Sequence, residues 1–246
     1  MKWLLVSDLH YALRQYDWVA HVAPDFDAVV IAGDLLDVRS AVPIPAQTTA
    51  VAAQIAKIGT RGTLAAASGN HDLDARDAAG EKAATWLQGV RTQGVHVDGD
   101  SLVVGDILVT ICPWWDGPAG RQQLEERLVA ESARELPRWA WVYHSPPSGS
   151  ALSWNGRREY GDDALAEWIT RFQPAFVLTG HIHQAPFANG GAWFDRIGET
   201  VVFNPGQQPG PVPAHIVIDF EARDATWFSI EGSETVPFDS DEHLTG

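Results

Sequence analysis

The stretch "AAASGNHDLDA", residues 65–75, changes character within a few positions. Its small apolar residues end at Gly69. An amide, an imidazole and a carboxylate then follow without a break, at Asn70, His71 and Asp72. The apolar part predicts a short buried strand. Because ligands of α/β proteins gather at the carboxyl ends of strands, the polar part predicts a functional site at this strand end.

Apolar runs of strand length recur along the chain and are continuous rather than alternating, which predicts strands covered on both faces. They are "WLLVS" (3–7), "AVVIAG" (28–33), "TLAAAS" (63–68), "ILVTIC" (107–112), "WAWVY" (139–143) and "AFVLTG" (175–180). Helical patterns lie between several of them, at 45–58, 119–134 and 162–172, the last with Asp162 as its N-cap. Strands that alternate with helices predict a layered α/β fold.

The residue pattern changes towards the C-terminus. After residue 185, short β-rich runs are separated by Gly, Pro, Asn and Asp, which predicts a meander that completes a second sheet or a sheet edge. Residues 232–246 are polar and acidic without periodicity, so we expect a loose C-terminal tail. No repeat or linker divides the rest, and we expect a single domain over residues 1–231.

Composition narrows the class of protein. The 246 residues are 45% hydrophobic, enough for one sizeable core, and the formal net charge is −15. Binders of nucleic acid usually carry a basic surface, and this chain has no long Lys/Arg cluster, so nucleic acid is not the expected partner. The acidity is typical of a soluble, self-repelling surface.

The sequence also bears on location. The single cysteine, Cys112, cannot form an intramolecular disulfide and is expected to be a buried small hydrophobe, which suits a reducing compartment. The N-terminal apolar stretch is too short for a signal peptide, and no run reaches transmembrane length. We therefore expect a cytoplasmic protein without membrane attachment.

Metal-binding residue types follow five of the strand-like runs. Imidazoles, carboxylates and an amide oxygen without thiolate suit Mn, Fe or Zn and suit Ca poorly. The seven candidate ligands are Asp8, His10, Asp34, Asn70, His144, His181 and His183. Seven is too many for one tetrahedral ion and about right for two. A pair of metal ions can hold both the attacking and the leaving oxygen of a phosphoryl displacement.

Five motifs carry a family resemblance. They are Asp-x-His (8–10), Gly-Asp-x-x-Asp (33–37), Gly-Asn-His-Asp (69–72), the strand-end His144 and Gly-His-x-His (180–183), followed by "NPG" at 204–206. In this order they resemble the calcineurin-like metallophosphoesterases, in particular bacterial members similar to cyclic-nucleotide phosphodiesterases. The resemblance implies a four-layer αββα sandwich, with two mixed β-sheets flanked by helices and a dinuclear metal site at the strand carboxyl ends.

The resemblance also implies a role for each residue. It implies two ligand sets joined by a bridging Asp34, with Asp8, His10 and His183 on one ion and Asn70, His144 and His181 on the other. A hydroxide between the ions is the implied nucleophile. His71 is the implied general acid, or a cationic hydrogen-bond donor to the leaving group, and Asp37 is the implied partner that orients its ring.

The expected activity is hydrolysis of a phosphate ester, with a small-molecule diester favoured and a monoester left open. The alternatives are a nuclease of the same family, which the acidic charge disfavours, and a catalytically inactive protein-binding scaffold, which the filled site positions disfavour. Oligomeric state is not predicted. Candidate substrate contacts are Trp114, Trp115, Arg157 and Arg158. Surface or structural roles are expected for His21, His96, His215 and His243.

Overall fold

The computed structural model describes residues 1–134 and 138–238, and within these ranges the chain forms fifteen strands and five α-helices. The strands are β1 (Lys2–Val6), β2 (Ala28–Ala32), β3 (Leu64–Ala67), β4 (Ala75–Arg76), β5 (Lys82–Ala83), β6 (Val95–Val97), β7 (Ser101–Val104), β8 (Ile107–Ile111), β9 (Arg138–Val142), β10 (Phe176–Leu178), β11 (Phe194–Ile197), β12 (Thr200–Phe203), β13 (His215–Asp219), β14 (Asp224–Ser229) and β15 (Gly232–Pro237). The helices are α1 (Leu13–Val22), α2 (Ile44–Gly59), α3 (Thr85–Gln88), α4 (Pro118–Ser132) and α5 (Asp163–Phe172).

The first sheet contains seven strands in the order β15-β14-β13-β1-β2-β3-β6. The pairs among β1, β2, β3 and β6 are parallel, whereas β13, β14 and β15 form an antiparallel meander beside β1. The register pairs Val6 with Ile31, and Ile31 with Ala66. The carboxyl ends of β1, β2 and β3 therefore lie side by side at one edge.

The second sheet contains six strands in the order β11-β12-β10-β9-β8-β7. Its inner strands β8, β9, β10 and β12 are parallel, and its two outer strands are antiparallel to their neighbours. The register aligns Ile111, Val142 and Leu178 in one row. The loops that carry His144 and His181 therefore leave the sheet at the same edge.

The two sheets face each other over a shared core. Trp3 and Ile218 of the first sheet belong to the same buried cluster as Val109 and Phe176 of the second. Helices α1 and α2 cover the outer face of the first sheet, and α4 and α5 cover the outer face of the second. The α/β class and the four-layer αββα sandwich are thus confirmed. Burial on both faces explains why the strand sequences are continuously apolar.

The three predicted helices are confirmed as α2, α4 and α5, with ends displaced by one or two residues. Asp162 is the N-cap of α5, and its Oδ1 accepts a hydrogen bond from the N–H of Leu165 at 3.0 Å. Helix α1 was not expected from the sequence. It begins after Ala12 without a capping side chain, so the usual start signal is missing. Tertiary contacts stabilise it, including a 2.7 Å hydrogen bond from the Tyr16 hydroxyl to the Leu35 carbonyl.

The expectation of a loose tail from residue 232 is wrong for residues 232–237. They form β15, which pairs antiparallel with β14, and Phe238 is buried in the core between the sheets. Most β15 side chains are exposed, and backbone hydrogen bonds hold this edge strand without an alternating apolar pattern. The rest of the predicted tail, 239–246, lies outside the described residues. Among the helices that the structure describes, none is both long enough and apolar enough to cross a membrane.

Candidate metal centre

The loops after β1 and β2 run side by side and carry three of the candidate ligands. The N–H of Asp8 donates to the carbonyl of Gly33 at 3.1 Å, and the N–H of His10 donates to the carbonyl of Asp34 at 3.0 Å. Asp8, His10 and Asp34 have positive φ angles of 54°, 43° and 52°. Such backbone strain in residues other than glycine clusters at functional sites, where the surrounding structure holds it in place.

The Gly-Asn-His-Asp loop after β3 packs directly against Asp34. A Cβ on Gly69 would lie 2.2 Å from Asp34 Oδ1, so only glycine fits at this position. The N–H of His71 donates to the same Oδ1 at 2.9 Å. Asp72 points away from the cavity and accepts hydrogen bonds from the N–H groups of Leu35, Leu36 and Gly69 at 3.2, 2.8 and 2.8 Å. Asp72 therefore links the loop after β2 to the loop after β3.

The second sheet contributes three histidines to the same place. His144, fully buried after β9, has its Nδ1 2.7 Å from the Ala32 carbonyl, which directs Nε2 towards Asp34 Oδ2 at 3.2 Å. The backbone N–H of His181 lies 3.1 Å from Asp8 Oδ2. Nε2 of His183 lies 3.1 Å from Asp8 Oδ1 and 3.0 Å from Nε2 of His10. Residues separated by more than 170 positions, such as His10 and His183, thus meet at one edge of the sandwich.

Within the described residues, candidate ligand atoms lie within 4.8 Å of one another in three groups. These groups are Asp8, His10, Asp34 and His183; Asp34, His144 and His181; and His10, Asp37 and His71. The first two share Asp34. Asp8, His10 and His183 of the first implied ligand set thus lie together, and so do His144 and His181 of the second. Asn70 lines the same cavity, and its Oδ1 is buried without a hydrogen-bond partner.

The electrostatics of the cluster favour bound positive charge. Burial alone would raise the pKa of Asp8, but its hydrogen bond with His183 and the nearby positive charge of His144 bring that pKa well below its usual range. The pKa of Asp34 is likewise lowered. Burial raises it, but the positive charge of His144 and its hydrogen bond outweigh burial. Both carboxylates are therefore ionised at neutral pH, in a buried setting where an unpaired charge is unfavourable.

The histidines respond in opposite directions. Burial lowers the pKa of His144, but the charge of Asp34 outweighs burial and raises it to about 9. Burial, together with the positive charge of His144, lowers the pKa of His181 to about 4. His144 Nε2 is buried without a geometrically sound hydrogen bond. The uncharged ring of His181 is in the state that a metal ion requires of its ligands, whereas at His144 a metal ion would have to replace the proton that Asp34 stabilises.

The cluster opens into a cavity of about 290 Å³. The lining residues beyond the candidate ligands are Asp37, Arg39, His71 and Gln207. Nδ1 of His71 lies 3.6 Å from Asp37 Oδ1, and Nε2 of His71 lies 4.0 Å from Asp34 Oδ2. His71 belongs to neither of the two groups that share Asp34. It nevertheless lines the same cavity as His10 and Asp34.

The predicted substrate contacts divide into two pairs. Trp114 and Trp115 line a second cavity that shares His181 with the first. Arg157 and Arg158 are exposed on a turn closed by Asn155, whose Oδ1 accepts from both of their N–H groups at 2.9 Å. Neither arginine is among the lining residues of these two cavities.

Besides Gln207, sequence reasoning missed the cavity residue Arg39. Its side chain is exposed at the rim, and within the described residues it makes no side-chain hydrogen bond or ion pair. The available signal was its place two residues after Asp37, in a loop already assigned to the site. Cys112 is buried as expected, and burial raises the pKa of its thiol well above the usual range. His21, His96 and His215 belong to none of the ligand groups, and His243 lies outside the described residues.

Comparison with known proteins gives one family match and several similar folds. Residues 1–185 match the family described as calcineurin-like phosphoesterase. No curated protein matches the sequence. Among solved structures, a purple acid phosphatase from yellow lupin (Lupinus luteus) seeds is 15% identical with a TM-score of 0.59, covering 96% of this chain and 53% of that one.

Two further solved structures match over almost their full length. One is 14% identical with a TM-score of 0.61 and covers 97% of this chain and 99% of that one. The other, a phosphoesterase from E. coli, is 16% identical with a TM-score of 0.48 and covers 97% of this chain and 100% of that one. The two structures with TM-scores of 0.59 and 0.61 support the fold alone. The family match, which spans all five motifs, shows that the chain is a member of the calcineurin-like phosphoesterase family.

Proposed function

We propose that this protein is a metal-dependent hydrolase that cleaves a phosphate ester, with a small-molecule phosphodiester as the favoured substrate class. The observation that carries the proposal is the convergence of five loops on one cluster of candidate metal ligands, beside a cavity that four of these loops line. Those loops bring ionised carboxylates, imidazoles and a further histidine, His71, to the same space. Groups of this kind suit a reaction in which negative charge develops on phosphate oxygens.

The residues present fit two metal ions. Asp8, His10 and His183 would hold one ion, and Asn70, His144 and His181 would hold the other, with Asp34 shared. The unpartnered Asn70 Oδ1 and His144 Nε2 support this assignment, because buried polar atoms are rarely left without a partner. Nitrogen and oxygen donors without thiolate favour Mn, Fe or Zn. When bound, such ions would supply Lewis-acid charge that activates water and neutralises the phosphate.

The chain's own groups would complete the reaction. His71 would donate a proton or a hydrogen bond from its ring to the leaving oxygen, because its imidazole faces the cavity. Asp37 would orient that ring through its nearby carboxylate. Arg39 would bind a negatively charged oxygen of the substrate, because its side chain is at the rim without an intramolecular ion partner among the described residues.

The size and charge of the site support a small substrate. A cavity of about 290 Å³ accommodates a phosphate with part of an ester group. A polyanionic nucleic acid would instead need a row of cationic contacts, and the chain has a formal charge of −15. We therefore place nuclease activity second to small-molecule hydrolysis.

The test is a turnover assay with metal-loaded protein. Protein purified without chelator and supplied with Mn²⁺, Fe²⁺ or Zn²⁺ is assayed against bis(p-nitrophenyl) phosphate and p-nitrophenyl phosphate. Metal-dependent release of p-nitrophenolate is expected, with the diester turned over faster, and Asp34→Asn is expected to abolish it. No turnover of either ester with any metal would reject the proposed activity. DNA binding that weakens with salt would restore the nuclease alternative.

A further inference from the structure

A second cavity of about 500 Å³ lies beside the metal-ligand cluster, and we name it the aromatic cavity. Its walls include the rings of Trp114, Trp115, Tyr143 and Tyr160. His181 lines both this cavity and the smaller one that contains His71. The two cavities are therefore adjacent, and a molecule with its phosphate at the histidine cluster lies next to the aromatic cavity.

Trp114 lines the aromatic cavity next to two of the candidate ligands. The centroid of its ring lies 5.4 Å from that of His181 and 5.7 Å from that of His144. Its ring is stacked on Tyr143 with an interplanar angle of 15°. Its backbone N–H donates to Ser68 Oγ at 3.0 Å, which fastens the tryptophan loop to the end of β3. The indole is thus held in a set orientation against two candidate ligands.

The two tyrosines differ in exposure. The Tyr143 side chain is buried, and its hydroxyl donates to Asp162 Oδ2 at 2.8 Å, so this wall is rigid. Tyr160 is 48% exposed and stands at the open side of the cavity. A rigid aromatic floor with an exposed ring at its mouth suits a flat ligand that enters from solvent and stacks.

The charges around the aromatic cavity restrict what it can hold. Arg121 is the only cationic lining residue in the described part of the chain, and its guanidinium lies 3.2 Å from the carboxylate of Glu167. Asp162 and Asp163 add negative charge at the start of α5. A second phosphate or a carboxylate would be repelled here, whereas a neutral ring would not.

We propose that the aromatic cavity binds a neutral, planar ring of the substrate, which is therefore a phosphodiester with an aryl or nucleobase group on one arm. This inference rests on the proposed phosphoesterase function, because the ring reaches the cavity from a phosphate placed at the neighbouring histidines. Stacking on Trp114 should strengthen binding by about tenfold over an otherwise similar ligand without a ring.

The first measurement is binding and does not depend on turnover. Isothermal titration of Mn²⁺-loaded protein compares phenylphosphonate with methylphosphonate, which share the charged group and differ in the ring. Phenylphosphonate is expected to bind about tenfold more tightly. Trp114→Leu should bring the ratio of the two affinities close to one. Trp18→Leu, in a partly buried tryptophan outside the aromatic cavity, should leave the ratio unchanged.

The second measurement identifies the source of the ring. Three methyl phosphodiesters carry a thymidine 5′-, a phenyl or a cyclohexyl group on the other arm, so that only the first two contain a planar ring, and the release of methanol is measured. A kcat/KM advantage for the thymidine ester alone indicates a nucleobase, and an equal advantage for the phenyl ester indicates any aryl group. If Trp114→Leu does not fold, Tyr160→Leu, at an exposed position, replaces it and should lower the advantage severalfold.

The two proposals can fail separately. Ring-dependent phosphonate binding without turnover of any diester would support the aromatic cavity and reject the proposed catalysis. Turnover with equal affinities for both phosphonates would overturn the proposed ring site and retain the catalysis. Binding of neither phosphonate would also overturn it, as would an equal loss of both ligands in Trp114→Leu.

Discussion

The backbone N–H of Val38 donates a hydrogen bond to Nδ1 of His71, with 3.2 Å between the two nitrogens. Asp37, the expected partner of this ring, has its Oδ1 3.6 Å from the same Nδ1 and accepts a hydrogen bond from the N–H of Arg39. The ring is therefore held by the backbone in this structure. If Nδ1 gains a proton, it can no longer accept from Val38, and the nearby Asp37 carboxylate becomes its partner.

This relationship leads to a prediction for two variants. We expect His71→Ala to lower kcat by about 10²–10⁴-fold, because the leaving oxygen loses its proton donor, while the metal content stays unchanged. We expect Asp37→Asn, which can still accept from the Arg39 N–H, to lower kcat less, by about tenfold. Steady-state kinetics with metal analysis on the same samples measures both. Wild-type kcat in Asp37→Asn would mean that the Val38 amide alone orients the ring.

Metal binding should depend on the shared carboxylate. Wild-type protein is expected to hold two ions per chain, and Asp34→Asn is expected to hold one or none, because this variant removes a charge shared by both ligand groups. Since ligands that bind only the folded state stabilise it, saturating Mn²⁺ should raise the wild-type Tm by about 5 °C or more. The shift should be smaller in Asp34→Asn. Elemental analysis and thermal unfolding give the two readings.

His215→Ala is the matched control for that experiment. His215 is stacked on Phe228, lies tilted against Trp18 and belongs to none of the candidate ligand groups, so its removal should leave the metal content at two. Equal metal content in wild type and Asp34→Asn would reject the shared-ligand assignment.

Substrate charge should be recognised at Arg39. We expect Arg39→Gln to raise KM by about tenfold with a smaller effect on kcat, because a rim cation binds ground state and transition state alike. Arg157→Gln and Arg158→Gln test the substrate contacts predicted from the sequence. Because neither arginine lines either cavity, we expect no change in KM for these two variants. Arg14→Gln, an exposed arginine on α1, is the neutral control. A KM increase confined to Arg157→Gln or Arg158→Gln would move the contact to that turn.

The pH dependence of stability should contain a contribution from Asp98. Burial raises the pKa of this carboxyl to about 6 from 3.8, although the N–H of Ser68 donates to its Oδ1 at 2.8 Å. Between these two pKa values the folded state holds the proton more tightly than the unfolded state. Stability from this group therefore falls as pH rises towards 6 and stays low above it.

Asp98→Asn removes that dependence and keeps the side-chain shape. The free energy of unfolding of Asp98→Asn minus that of wild type should therefore be about 1–2 kcal/mol larger at pH 8 than at pH 5. Urea unfolding of both proteins at the two pH values, with the metal concentration held constant, checks the prediction. A difference between the two proteins that does not change with pH would contradict the raised pKa.

The donor set could be predicted because its signals are local. Each candidate ligand follows an apolar run within a few residues, and parallel strands present their carboxyl ends at one edge. The continuous apolar runs also indicated strands covered on both faces, as the buried clusters confirm. Helix α1 and strand β15 escaped prediction, because contacts with Leu35 and with β14 stabilise them rather than a cap or an apolar period.

The sequence by itself determined which chemical groups leave the strands, since a motif such as Gly69 to Asp72 sets its own turn and order of side chains. Only the tertiary structure decided which of these groups share a cavity. The packing of two sheets over a common core brings His183 to Asp8 and His144 to Asp34, and it leaves Arg39 at the rim while Arg157 is elsewhere. Contacts between residues far apart in the sequence depend on how the two sheets pack against each other, and the spacing of residues within a motif does not specify that packing.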